Sequence, residues 1–108
     1  MRVLHLISSL KRGGMERQLC NVVTAPRLKN IDNKIIYFNN ADFDYIDEYK
    51  IRHATHFIEK KFLNFNHLMK ITKNYKPDLI ISWSFKEAYL GFIISKIFKI
   101  KFLNLVAF

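Results

Sequence analysis

The first 23 residues constrain the fold of this chain more than any other segment. Residues Arg2–Ser8 (RVLHLIS) form a nearly continuous apolar run rich in β-formers, which is typical of a strand buried on both faces of a parallel sheet. A loop ending in Gly13-Gly14 follows. Beyond it, apolar residues recur with the spacing of one helical face, at Met15, Leu19, Val22 and Val23. A strand, a glycine-ended loop and a helix in this order predict the opening of a βαβ unit.

The remaining sequence predicts a continued alternation of strands and helices. Apolar runs rich in β-formers predict four more strands, the second of them weak, at 33–38, 53–58, 78–83 and 101–108. Helical periodicity predicts a second helix over 63–75 and a third over about 85–99. Pro26 ends or bends the first helix near Ala25, and Pro77 ends the second. This order predicts an α/β fold, a Rossmann-like three-layer domain with a mainly parallel sheet.

Two local features refine this scheme. Ser84 and Glu87 have the spacing of a capping box, in which the serine hydroxyl and the glutamate carboxylate bind the first amides of the third helix. Residues 39–49 are polar, acidic and aromatic without clear periodicity, which predicts an exposed loop.

Length and composition exclude several classes of protein. With 108 residues, 50% of them hydrophobic, the chain has material for one compact core and not for a two-domain enzyme. Cys20 is the single cysteine and no Cys/His cluster is present, so we expect a reducing, cytoplasmic environment with no bound metal and no cofactor. The most apolar later stretch, 88–98, is too short to span a bilayer, and the apolar run 3–10 lacks a signal cleavage site.

Positive charge dominates the sequence and is concentrated in its second half. The chain carries 18 Lys+Arg against 9 Asp+Glu, a net charge of +9. From Lys60 onward there are nine lysines and two acidic residues, Asp78 and Glu87. Such a chain is drawn to anions, and the sign alone leaves nucleic acid, anionic lipid head groups and phosphorylated ligands as alternatives.

The loops that follow the strands hold the candidate site, because open parallel sheets bind ligands at the carboxyl ends of their strands. Gly13 and Gly14, placed directly before a helix, let a ligand approach the backbone closely and expose helix amides that suit a phosphate or a carboxylate. Arg12 and Arg17 add charge-assisted contacts. The alternative is that the two glycines only make a tight turn.

The end of the predicted strand 78–83 offers a second set of candidates. Trp83, between Ser82 and Ser84, either stacks on a sugar or belongs to the core. No GxGxxG, GxxxxGK[ST] or GxSxG motif is present, which disfavours a dinucleotide-dependent dehydrogenase, a P-loop nucleotidase and a serine hydrolase. The histidines have no evident nucleophile partner, so we expect them to be structural.

Two blocks of this sequence resemble a known family. Residues 1–23, with the segment GGMER at 13–17, look like the opening of the retaining GT-B glycosyltransferases of family 4, which begin with a strand and a GG-x-E-R segment. Residues 76–83 (KPDLIISW) and 100–104 (IKFLN) are similar to a second stretch in the N-terminal domain of that family. Ile81 stands where a histidine often precedes the Ser-Trp pair.

The resemblance implies that residues 1–108 are the incomplete N-terminal, acceptor-side domain of a GT-B fold, without the C-terminal donor-binding domain. It implies that the two glycines face the donor phosphates and that Glu16 and Arg17 organise their loop. Catalytic residues are expected at or beyond Phe108. The candidate substrate-binding residues are Arg12, Gly13, Gly14, Glu16, Arg17, Ser82 and Trp83.

The implied function is transfer of a sugar from a nucleotide-sugar to a glycan or a lipid-linked acceptor in cell-surface polysaccharide biosynthesis. The chain would be an inactive fragment, either a truncated gene product or one part of an enzyme completed by a second chain. A place at the cytoplasmic face of the membrane suits its basic second half. The alternative is a small basic module for nucleic acid or another anion, although no nucleic-acid motif is recognised and we expect no nucleic-acid partner.

Overall fold

The computed structural model describes residues 1–11, 13–25, 30–39, 45–58 and 64–105. Its strands are β1 (Arg2–Ser9), β2 (Asp32–Asn39), β3 (Thr55–Phe57), β4 (Leu79–Ser82) and β5 (Lys101–Asn104). Its helices are α1 (Gly14–Val23), α2 (Asn64–Tyr75) and α3 (Ala88–Phe98). Short 3-10 turns at Arg52–Ala54 and Phe85–Glu87 precede β3 and α3.

Strand β1 lies at the centre of a five-stranded sheet with the order β3-β2-β1-β4-β5. All four strand pairs are parallel. The pairing of β1 with β2 runs from Arg2 opposite Asp32 to Ser9 opposite Asn39, so the two strands are in register over their whole length. Pairing on the other edge of β1 begins with Val3 opposite Leu79 in β4.

Helices cover both faces of the sheet. Because side chains alternate along a strand, neighbouring residues of β1 enter different cores. Ile7 packs in a core with Leu19 of α1, whereas Leu6 packs in a second core with Leu68 of α2 and Ile94 of α3. The three-layer α/β fold predicted from the sequence is therefore confirmed.

A buried histidine links three strands. His5 of β1 is almost fully buried, and its Nδ1 accepts a hydrogen bond from the indole Nε1 of Trp83 at 2.9 Å. Its Nε2 lies 2.8 Å from Oδ1 of Asn33 in β2. Since an indole N–H only donates, Nδ1 must be the acceptor and Nε2 must carry the ring proton. This geometry fixes a neutral imidazole and gives His5 the structural role expected of it.

The structure corrects two sequence predictions. The capping box is wrong: no side chain caps the turn at Ser84, whose Oγ instead accepts a hydrogen bond from the backbone N–H of Ser8 at 2.9 Å. The exposed loop predicted over 39–49 is wrong for Tyr45 and Ile46, which are both buried in the core on the α1 face. They pack there because the backbone N–H of Tyr45 bonds the carbonyl of Leu10, directly after β1.

Several element boundaries also differ from the predictions. Strand β3 is shorter than the predicted 53–58, because its first residues belong to a 3-10 turn. Helix α1 ends at Val23, where Thr24 Oγ1 donates to the carbonyl of Cys20 at 2.7 Å. Pro26, residues 40–44 and the end of the predicted last strand, 106–108, lie outside the described residues.

Three further features are defined for the described part of the chain. Cys20 is buried. None of the helices there has the length and apolarity needed to cross a membrane. The same residues contain no group of three or more His, Cys, Asp or Glu side chains placed to hold a metal ion.

Burial of His5 predicts a loss of stability in acid. Burial lowers the pKa of His5 from 6.5 to about 4, so its contribution to folding is complete above pH 6.5 and is lost as the pH falls toward 4. The expected loss between pH 7 and pH 4 is about 3 kcal/mol in the free energy of unfolding. Urea unfolding at both pH values measures it. The loss should be much smaller in His5→Gln and unchanged in the control His53→Gln, and equal losses in all three proteins would contradict the assignment.

Candidate functional site

The carboxyl ends of the strands form one edge of the sheet, here called the carboxyl edge. Since the strands are parallel, β1, β2, β4 and β5 all end there, at Ser9, Asn39, Ser82 and Asn104. The loop after β1 leads from this edge to the N-terminus of α1. Within one or two residues of these strand ends, the apolar side chains of the strands give way to polar groups, namely serine hydroxyls, asparagine amides and exposed backbone amides.

Ser8 connects three strands at this edge. Its backbone N–H donates to Ser84 Oγ at 2.9 Å. Asn39 Nδ2 donates to the carbonyl oxygen of Ser8 at 3.1 Å and to its Oγ at 3.0 Å. Ser82 Oγ donates to the carbonyl of Ser84 at 3.0 Å, which holds the chain as it leaves β4. Sequence reasoning missed the roles of Ser8, Asn39 and Ser84, and the available signal was a polar residue at the end of each strand.

The two glycines are not required by the backbone conformation. Gly13 is the N-cap residue of α1 and has an extended φ of −170°, a value that any residue adopts. No described glycine has a positive φ. The backbone conformation of the described glycines therefore does not itself require a residue without a side chain.

The space around the glycines differs between the two positions. A Cβ on Gly14 would have no heavy atom within 4 Å, so this residue faces open space at the start of α1. A Cβ on Gly13 would lie 2.6 Å from Glu16 Oε1, which shows that the Glu16 carboxylate lies over Gly13. Gly13 leaves room for the carboxylate, and Gly14 leaves the first turn of α1 open to a ligand.

The first amides of helix α1 have no acceptor within the helix itself. The first intrahelical bond runs from the Arg17 N–H to the Gly13 carbonyl at 3.0 Å, so the amides before Arg17 have no partner within the helix. No side chain caps the helix at Gly13. These amides and the positive end of the helix dipole favour an anion.

Arg17 is held beside the same opening. Its guanidinium carbon lies 6.0 Å from the centroid of the Tyr45 ring, within the range of a cation–π interaction. Tyr45 is itself fixed by its backbone bond to Leu10. The side chain of Arg17 remains exposed, so its charge is available at the carboxyl edge.

The structure separates the predicted site residues into two groups. Gly13, Gly14, Glu16 and Arg17 lie together at the start of α1. Ser82 and Trp83 are buried, and the indole of Trp83, 5% exposed, donates to His5 inside the core. This burial favours the core interpretation of Trp83 over sugar stacking. Arg12 lies outside the described residues.

A cleft of about 340 Å³ lies at the opposite edge of the sheet. Its lining includes Thr24 after α1, Asp32 at the start of β2, Lys50 and Tyr75. None of the predicted site residues that the structure describes lines it. The cleft is therefore a second candidate location for a ligand, and a binding experiment must distinguish it from the carboxyl edge.

Comparison with solved structures finds this fold in a protein bound to a nucleotide-sugar. Two crystal structures of Anabaena Alr3699/HepE, one in complex with UDP and one in complex with UDP-glucose, match this chain with TM-scores of 0.75 and identities of 20% and 21%. The matches cover 96% of this chain but 29% and 28% of the HepE chains, so this chain spans less than a third of their length. At this identity the likeness shows the fold. No family model and no curated protein matches the sequence.

The Ser8–Ser84 contact predicts an unequal response to two serine substitutions. Ser84→Ala removes the acceptor of the partly buried Ser8 N–H, so the free energy of unfolding should fall by about 1–2 kcal/mol. Ser9→Ala is the matched control, because Ser9 Oγ makes a longer bond of 3.3 Å to the exposed N–H of Lys11. Urea unfolding should show a loss below about 0.5 kcal/mol for this control. Equal losses would show that the Ser84 hydroxyl does not hold β1.

Proposed function

We propose that this chain is the acceptor-side, N-terminal part of a retaining GT-B glycosyltransferase of family 4. The observation that carries the proposal is the pair Gly13 and Gly14, which opens the N-terminus of α1 without any conformational need for glycine. The shared fold with HepE, crystallised with UDP and UDP-glucose, supports it. The GGMER and KPDLIISW blocks support the finer assignment to family 4.

The proposed role of this loop is to contact the diphosphate of a nucleotide-sugar. The open first turn of α1 supplies amide donors, and the exposed Arg17 adds a charge-assisted hydrogen bond. Glu16 holds the loop through its position over Gly13. The amides and Arg17 stabilise negative charge, and Glu16 positions the loop that carries them. Stabilisation of negative charge is what a sugar donor requires when its leaving group is a nucleoside diphosphate.

Residues 1–108 in this proposal form one wall of a two-walled cleft. The second wall, the donor-binding domain, and the catalytic residues are supplied from outside these residues, in the same polypeptide or by a second chain. The acceptor is a glycan or a lipid-linked glycan of a cell-surface polysaccharide. The proposed location is the cytoplasmic face of the membrane, where a basic surface meets anionic lipid.

Substitution of Gly14 separates a ligand-binding role from a structural one. Gly14→Asp should fold at least as stably as the wild type, because the position is open and a carboxylate suits the first turn of a helix. The added charge should weaken UDP binding roughly tenfold or more through repulsion of the diphosphate. The measurement is an NMR titration of backbone amides with UDP and with pyrophosphate.

The matched control for this titration is Asn21→Asp, which makes the same change in charge on an exposed residue of α1 away from its N-terminus. It should bind UDP within about twofold of the wild type, since exposed charges at that distance are screened. Wild-type shifts should centre on residues 13–17. Shifts centred on the opposite cleft at Thr24, Asp32 and Lys50 would overturn the assignment of the glycine loop.

A sugar-transfer assay tests the proposal that residues 1–108 form only one wall of the cleft. The pure 108-residue chain, incubated with radiolabelled UDP-glucose and a membrane lipid extract, should transfer no sugar, because the donor-binding wall is absent. The readout is radiolabel in the organic phase, with a full-length glucosyltransferase as positive control. Sustained turnover by the isolated chain would contradict the division into two walls.

A further inference from the structure

The outer face of α3 exposes a stripe of large apolar side chains. Phe85, in the turn before α3, is 80% exposed. Further exposed residues continue the stripe at helical spacing, namely Tyr89, Phe92, Ile93 and Ile97. We call these five residues the α3 outer face. Lys96 is the single charged residue in the eleven residues of α3, and a helix this apolar is normally covered on every side.

The stripe cannot be buried by a rotation of the helix. The inner side of α3 is already packed against the sheet, where Ile94 is fully buried. Gly91 lies so close to β5 that a Cβ there would come within 2.5 Å of the Phe102 ring. A close-packed inner side fixes the helix, so the apolar stripe needs a partner outside the described residues.

Every exposed charged residue between 85 and 101 is a lysine. The exposed residues Lys86, Lys96, Lys99 and Lys101 lie within or beside it. Glu87 is the one acidic residue between 85 and 101, and it is 0% exposed. Helix α2, which lies on the same face of the sheet, carries Lys70 and Lys73 and no acidic residue.

One of these lysines is in contact with the stripe itself. The Nζ of Lys96 lies over the Phe92 ring, 5.4 Å from its centroid and within the range of a cation–π interaction. This arrangement presents apolar surface and positive charge to the same partner.

We propose that the α3 outer face adsorbs to an anionic lipid bilayer. The aromatic and aliphatic side chains enter the boundary between head groups and acyl chains, while the flanking lysines meet lipid phosphates. A second copy of this chain would place lysines against lysines, and a nucleic acid would neutralise the lysines while leaving most of the apolar stripe in water. The bilayer satisfies both the charge and the apolar surface.

This proposal rests on the membrane location given in the proposed function and names the surface that contacts the bilayer. Adsorption to vesicles requires no nucleotide, so it is measured separately from UDP binding. The experiment is flotation of the full chain with vesicles of phosphatidylcholine, alone or mixed with phosphatidylglycerol. Wild type should float with the mixed vesicles and not with pure phosphatidylcholine. Failure here would leave the UDP titration unaffected, so the two proposals can be rejected separately.

Two pairs of substitutions test the two components of the surface. Phe85→Ser with Tyr89→Ser should lower partitioning roughly tenfold or more, because the lost aromatic area is exposed in the folded chain and drives insertion. Lys86→Glu with Lys96→Glu should lower it by a similar factor. Circular dichroism and thermal unfolding should match the wild type, since these side chains are exposed. Phe85→Ser alone is the milder variant if the pair unfolds.

The matched control is Lys50→Glu with Arg52→Glu. This pair changes the net charge by the same amount as the Lys86 and Lys96 pair, but it lies beside Ile51, which packs in the core on the α1 face. It should retain partitioning within about threefold of the wild type.

Three outcomes would overturn the proposal. Equal losses from both charge pairs, with no effect of the serine pair, would show adsorption by net charge alone. A concentration-dependent dimer abolished by Phe85→Ser would assign the stripe to a second copy. Displacement from vesicles by duplex DNA, with unchanged DNA binding of the serine pair, would point to nucleic acid.

Discussion

Strand β1 must be paired on both edges and covered on both faces, and that requirement places its two neighbouring strands and the three helices. Its neighbours β2 and β4 satisfy its backbone groups, and α1 covers one face while α2 and α3 cover the other. His5 is the one polar residue among the buried residues 3–7 of this strand, and it needs a donor and an acceptor, since a buried polar atom without a partner costs free energy. Trp83 and Asn33 supply them. Hydrogen bonds through His5 thus connect Trp83, directly after β4, with Asn33 near the start of β2, inside the core of the domain.

The same strand explains where the candidate site lies. Apart from His5, its interior is apolar, and its last residues, Ser8 and Ser9, are polar where the sheet meets solvent. Ser84 and Asn39 hold the backbone of Ser8 from both sides, so the chain enters the glycine loop from a fixed position. The amides of the first turn of α1 are oriented by the helix that follows them. Such preorganised donors are the kind that stabilise a phosphate without reorganisation.

The strands, the helices and the fold class could be predicted because they depend on local patterns: apolar runs, helical spacing and proline positions. The side-chain partners at the site could not, because they join residues far apart in sequence. Ser84 and Glu87 have capping-box spacing, yet the Ser84 hydroxyl is used by Ser8, 76 residues away. Tyr45 and Ile46 lie in a polar segment, but the end of β1 and the first turn of α1 create an apolar surface that they cover. Local spacing contains no information on which distant surface a side chain will meet.

The two proposed surfaces adjoin each other in the chain. Ser84 is bonded to Ser8 at the carboxyl edge, and the next residue, Phe85, begins the α3 outer face. Consecutive Cα atoms are about 3.8 Å apart, so a bilayer in contact with Phe85 would lie directly beside the edge at which the sugar donor is proposed to bind. A soluble acceptor would gain nothing from that proximity. A lipid-linked acceptor would, because its anchor stays in the bilayer while its head group reaches the carboxyl edge. Within the two proposals, the glycine loop and the apolar stripe suit a lipid-linked acceptor better than a free glycan.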